Sequence, residues 1–167
     1  MMKKVLLAVA CLFLAGNIMA QNAKLPDNIN LKTLDGKSVT SAVIQNDGKP
    51  IIISFWATWC GPCRNELNTI TEVYDEWVEE TGVKLVAISI DNTRNSPKVR
   101  PLVESSEWPF EIYLDQNMDF AHALNIGQDP PHTFVINGEG EIVWQHKGFQ
   151  PGAEEELIEQ VRKLVKK

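Results

Sequence analysis

At 167 residues with a formal charge of −6, the chain is long enough for one domain with a real core, and it offers no electrostatic attraction to nucleic acid. Three cysteines are too few for a disulfide scaffold or a four-thiolate metal site. No internal repeat and no low-complexity tract is visible.

The N-terminus reads as an export signal. Lys3 and Lys4 precede an apolar run from Val5 to Leu14, and small and polar residues then lead to Ala20. Cleavage after Ala20 removes 20 of the 167 residues and leaves 147, beginning at Gln21. Loss of Lys3 and Lys4 takes the formal charge from −6 to −8. The apolar run is too short to span a bilayer well, so no transmembrane anchor is expected after cleavage. A lipoprotein reading, with Cys11 carrying the lipid, ranks second because the apolar run continues past it. The expected organisation is thus a signal peptide at 1–20 and one domain at 21–167, with its core at about 28–165.

Residues 28–44 read as a hairpin region turned by Asp35-Gly36. "IIISFW" (51–56) is β-branched and apolar throughout, the pattern of a strand buried on both faces. After Pro62 a helix is expected, with Leu67, Ile70, Val73, Tyr74, Trp77 and Val78 on one face and Gly82 as its left-handed cap. "VKLVAISI" (83–90) predicts a second buried strand. A helix near 97–106 carries Pro97 and Pro101, which suggests a late or kinked start. A less regular stretch runs through "EWPFEIYLD", and a short helix follows near 117–124. "HTFVI" (132–136) and "EIVWQH" (141–146) flank the turn "NGEG". A last helix, about Ala153 to Val165, has acids in its first turn and Lys166-Lys167 at its end, both favourable to the helix dipole. Alternation of this kind predicts an α/β fold: a central mixed sheet with helices on both faces.

Cys60 and Cys63 fall between the first buried strand and the first long helix. Cys60 at the helix N-terminus would have its thiolate stabilised by unpaired backbone N–H groups and the dipole. Cys63, one turn further on, is close enough to close a disulfide and is more shielded. Zinc is disfavoured because there is no second Cys pair, and His122, His132 and His146 are scattered. A purely structural staple is disfavoured because so small a loop removes little chain entropy. A redox pair with Cys60 as nucleophile and Cys63 as resolving thiol is the favoured reading, and it needs no cofactor. Glu66, a further turn along, falls beneath the pair as a candidate proton acceptor; the bland alternative is an exposed acid complementing the helix dipole. Trp56 reads as core as readily as active-site surface, Trp77 as core, and Trp59 as exposed. His146 and Glu154–Glu156 read as solvated.

"FWATWCGPC" resembles the active-site signature of the thioredoxin superfamily. The export signal, the N-terminal hairpin, an inserted αβ segment near 92–127 and "PHTFVINGEGEIVWQH" are similar to its TlpA/ResA-like branch of exported thiol–disulfide oxidoreductases. The resemblance implies a thioredoxin fold in which Pro131 is a cis-proline facing the cysteines, and in which Trp59, Gly61, Pro62, Pro130 and Pro131 contact substrate. It supports Glu66 as the acid three residues after the second cysteine. It also implies a periplasmic monomer that acts on protein disulfides or dithiols, with a membrane thiol-electron transporter as reductant and cytochrome c maturation as one task. Cys-Gly-Pro-Cys resembles reducing members. The chain departs at Ser54, where classical thioredoxin has a buried Asp, at Ala87 in place of its Lys partner, and at Pro130, which has no N–H for a docked peptide. Two other classes compete: a thiol peroxidase, although no "PxxxTxxC" arrangement occurs, and a chaperone or binding module indifferent to loss of both cysteines.

Overall fold

A computed structural model describes residues 23–166; the expected signal peptide and Cys11 lie outside the described residues. Its centre is β3 (Ile51–Trp56), buried at every position as its unbroken apolar run requires. Helix α1 (Gly61–Thr81) follows, then β4 (Lys84–Ser89) in parallel register with β3, Ser54 opposite Ala87. The expected cap is present: Gly82 has φ 67°, and its N–H donates to Val78 O at 2.8 Å. Leu67, Ile70, Tyr74 and Trp77 of α1 are buried, whereas Val78 is 41% exposed, because the helix turns its edge to solvent there.

The N-terminal hairpin forms as β1 (Asn30–Thr33) and β2 (Ser38–Thr40). Pro97 and Pro101 do delay their helix: a 3-10 turn at Ser96–Lys98 leads into α2 (Val99–Ser106). The stretch that read as irregular contains a strand, β5 (Glu111–Leu114), parallel to β4 and antiparallel to β1. Four residues alternating half-buried and buried are too short a pattern to stand out in the sequence. After α3 (Asp119–Ala123) come β6 (His132–Ile136) and β7 (Ile142–Lys147), antiparallel across the 137–140 turn, then α4 (Ala153–Val165). The seven strands form one mixed sheet in the order β2-β1-β5-β4-β3-β6-β7.

Alternation along β3 sends successive side chains to opposite faces. Ser54 reaches Glu66 of α1 on one face, while Phe55 meets Phe120 of α3 and Phe134 of β6 on the other, ring centroids 5.5 and 6.1 Å away. Helices therefore cover both faces, which is the thioredoxin fold. Trp56 is wholly core, edge-on to Trp108 at 4.8 Å, and Trp108 Nε1 donates to Asn68 Oδ1 of α1. Among the described residues no helix is long and apolar enough to cross a membrane.

Candidate active site

Strand β3 delivers the chain to the loop 57–60, and α1 takes it up at Gly61-Pro62. Proline suits the first helical turn because the N–H it lacks would have no intrahelical acceptor there. Cys60 is the N-cap of α1, with φ −91° and ψ 101°. The N–H of Cys63 donates to Cys60 Sγ at 3.2 Å. The two cysteines form a disulfide with S–S 2.03 Å and Cα–Cα 5.4 Å. Cys60 is 6% exposed and Cys63 is fully buried, so the first sulfur is the accessible one of the pair, though less open than its position in the sequence suggests. Trp59 beside it is 54% exposed.

The loop is held from behind. The Asp91 carboxylate, just past the end of β4 and fully buried, accepts from Thr58 N (2.8 Å), Thr58 Oγ1 (2.7 Å) and Ser89 Oγ (2.9 Å). Sequence reasoning missed this anchor; its one signal is an acid directly after an apolar strand. Asp91→Asn keeps the size but gives up charge-assisted acceptance from three donors, so it should cost about 1–2 kcal/mol. Urea unfolding measures it, and an unchanged midpoint would show that the anchor contributes nothing.

Across the cysteines lies the β6 end of the 129–132 loop. The Pro130-Pro131 peptide is cis, and Pro130 O lies 3.4 Å from Cys60 Sγ. Pro130 presents a carbonyl and no N–H on this edge. An ion pair between Asp129 and Lys147 flanks it. His132 points away from the dithiol: it stacks on Phe134, ring centroids 4.8 Å apart, and its Nε2 lies 3.2 Å from Gln145 Oε1. Burial lowers its pKa.

On the α1 face Glu66 is 4% exposed, so the exposed alternative is ruled out. Its Oε2 accepts from Ser54 Oγ at 3.1 Å and its Oε1 from Thr133 Oγ1 at 2.9 Å. Burial pushes its carboxyl up to about 7, although both hydroxyls favour the charged form. Ser54 thus stands beneath the site as a hydroxyl partner of an acid supplied by the helix. The antiparallel register that pairs Ser54 with Thr133 brings the two hydroxyls together. His146, expected in solvent, is half-buried on this same face, and its Nε2 is sealed from water.

A disulfide-forming cysteine pair at a helix N-terminus, faced by a cis-proline on a mixed α/β sheet, makes this protein a thioredoxin-like thiol–disulfide oxidoreductase. The chain belongs to the AhpC/TSA family, whose sequence profile matches residues 21–145. It is 30% identical over 156 residues to the thiol-disulfide oxidoreductase ResA of Halalkalibacterium halodurans, covering 92% of this chain and 82% of that protein. Among solved structures it is similar to a thioredoxin-like protein from Porphyromonas gingivalis, at 47% identity and a TM-score of 0.75, covering 87% of this chain and 94% of that one. StoA from Bacillus subtilis is 30% identical with a TM-score of 0.61, covering 78% of this chain and 92% of StoA.

Proposed function

We propose that the protein is an exported reductant of protein disulfides. The observation that carries the exchange chemistry is the Cys60 cap: a sulfur that accepts a backbone N–H at a helix N-terminus is a stabilised thiolate, and so a nucleophile, once the disulfide is reduced. The Cys60 thiolate attacks a substrate disulfide and forms a mixed disulfide, releasing one substrate sulfur as a thiolate. Cys63 then loses its proton to Glu66 and attacks Cys60 Sγ. The Cys60–Cys63 bond forms, the bond to substrate breaks, and the second substrate sulfur leaves reduced. Trp59, Gly61, Pro62, Pro130 and Pro131 make the docking surface; Pro130 supplies an acceptor to the bound segment and no donor. The dithiol carries both electrons, so no cofactor enters.

Removal of residues 1–20 would place the domain in the cell envelope, where a membrane thiol-electron transporter recharges it. Cytochrome c maturation, which the TlpA/ResA-like resemblance suggests, is one use for such a reductant. The reducing direction rests on the likeness of Cys-Gly-Pro-Cys to reducing members. With dithiothreitol as electron source the protein should reduce insulin disulfides, and its potential should lie nearer thioredoxin at about −270 mV than DsbA at about −120 mV. A potential close to that of DsbA would make it an oxidant. A second reading, a thiol peroxidase, draws on the AhpC/TSA match. Rapid consumption of hydrogen peroxide without insulin reduction would establish it instead.

A further inference from the structure

A proton that Glu66 takes from Cys63 has no direct way out, because the carboxyl is 4% exposed. The sheet register sets an imidazole ring on the same face. β6 and β7 pair Thr133 with His146, so both side chains stand on the α1 face as cross-strand neighbours. Thr133 Oγ1 is the group bonded to Glu66 Oε1. A narrow pocket on this face is lined by Glu66, Thr133, Trp144, His146, Glu154 and Leu157. His146 Nε2 is buried and has no hydrogen-bond partner among the described residues. A buried ring nitrogen without a partner is costly, and this one lines the same pocket as a buried acid. The ring lies parallel to Trp144, centroids 5.8 Å apart and planes 6° from coplanar, which fixes its orientation.

Charged and titratable groups also lie on the elements next to the ring. Glu154, in the first turn of α4, lines the pocket and is half-buried; its Oε2 accepts from Gly152 N at 3.0 Å. Lys147 follows on β7 and is ion-paired with Asp129, and His132 of β6 faces the opposite side of the sheet.

We propose that His146 is a proton-relay residue that acts through Glu66, carrying the proton taken from Cys63 out to solvent. This rests on Glu66 as the acceptor. As Cys63 attacks Cys60, Glu66 takes the thiol proton and passes it through the shared pocket to Nε2 of His146 while the substrate thiolate leaves. The ring then loses its other N–H proton to solvent and returns to its starting tautomer by exchange. The carboxylate is thereby restored for the next turnover.

The test measures release from a preformed Cys60 mixed disulfide in rapid-mixing experiments between about pH 5 and 9, for the full mature chain. His146→Phe should slow release on the order of tenfold in dilute buffer and displace the inflection expected near Glu66's value of about 7, and His146→Ala, which leaves the space of the ring open, should regain its rate with added imidazole. Attack by Cys60 on substrate should keep its rate. His146→Gln, smaller and polar, repeats the measurement should the phenylalanine variant fold poorly. Glu66→Gln separates the two claims. If it leaves release and pH profile unchanged, the acceptor reading falls and the relay with it. If it slows release while a natively folded His146 variant matches the parent without imidazole, the relay alone is overturned.

Discussion

Cys63→Ser will hold client proteins as stable mixed disulfides through Cys60, and Cys60→Ser will hold almost none. The asymmetry comes from burial and the helix cap. Cys60 is the more exposed residue of the pair and its sulfur receives the Cys63 N–H, whereas Cys63 is fully buried. Without Cys63 the first attack proceeds, but no internal thiol ends it. Both variants should lose catalytic turnover by a factor on the order of 10³ or more, since each half of the exchange needs its own sulfur. Non-reducing gels after acid quenching, with dithiothreitol as the releasing control, measure the trapped fraction. Equal trapping by the two variants would remove the assignment of nucleophile and resolving thiol.

Glu66→Gln should change how stability depends on pH. Burial raises the carboxyl from 4.5 in the unfolded chain to about 7 in the folded protein. Between those values the folded protein holds a proton that the unfolded chain has given up. Stability is therefore fully present below about pH 4.5, falls as pH rises, and levels off above about 7. At about 1.4 kcal/mol per pKa unit, the decline is roughly 3 kcal/mol. Glutamine keeps the shape, and because Ser54 and Thr133 each carry a hydroxyl that can donate or accept, the amide can be satisfied. The variant should lack this decline and be the more stable protein at pH 8, by about 2–3 kcal/mol. Asp115, raised by burial, and His132, lowered by it, titrate in both proteins, so the difference between the two curves isolates Glu66. Urea unfolding across the range settles it: parallel curves would mean that Glu66 is charged in the folded state at neutral pH.

Much of this architecture was legible in the sequence because its signals are local. The run at 51–56 could only be a buried strand, Pro62 and Gly82 bracket α1, and Cys60 and Cys63 fall on its first turn. What escaped depends on contacts between distant positions. Ser54, Glu66 and Thr133 meet only because β3 and β6 lie in one register and α1 turns one face to them. The same register puts His146 behind Thr133, where a strand-end histidine would otherwise read as surface. β5 became a strand because β4 and β1 offer partners on both sides, which four residues cannot announce alone.

The hairpin at the front of the chain bears on aggregation. β5 would otherwise end the sheet, with its outward N–H and C=O groups free to template a strand from another molecule. β1 occupies that edge, pairing Lys32 with Leu114 and Thr33 with Tyr113, and leaves β2 as the new rim. That rim is three residues long, with exposed Ser38 and Thr40, a poor seed for growth. The arrangement also orders folding in time. The hairpin is made early in synthesis, yet its docking strand lies at residues 111–114, so the edge stays open until that stretch has emerged. Chains halted before it would be the ones most prone to self-association.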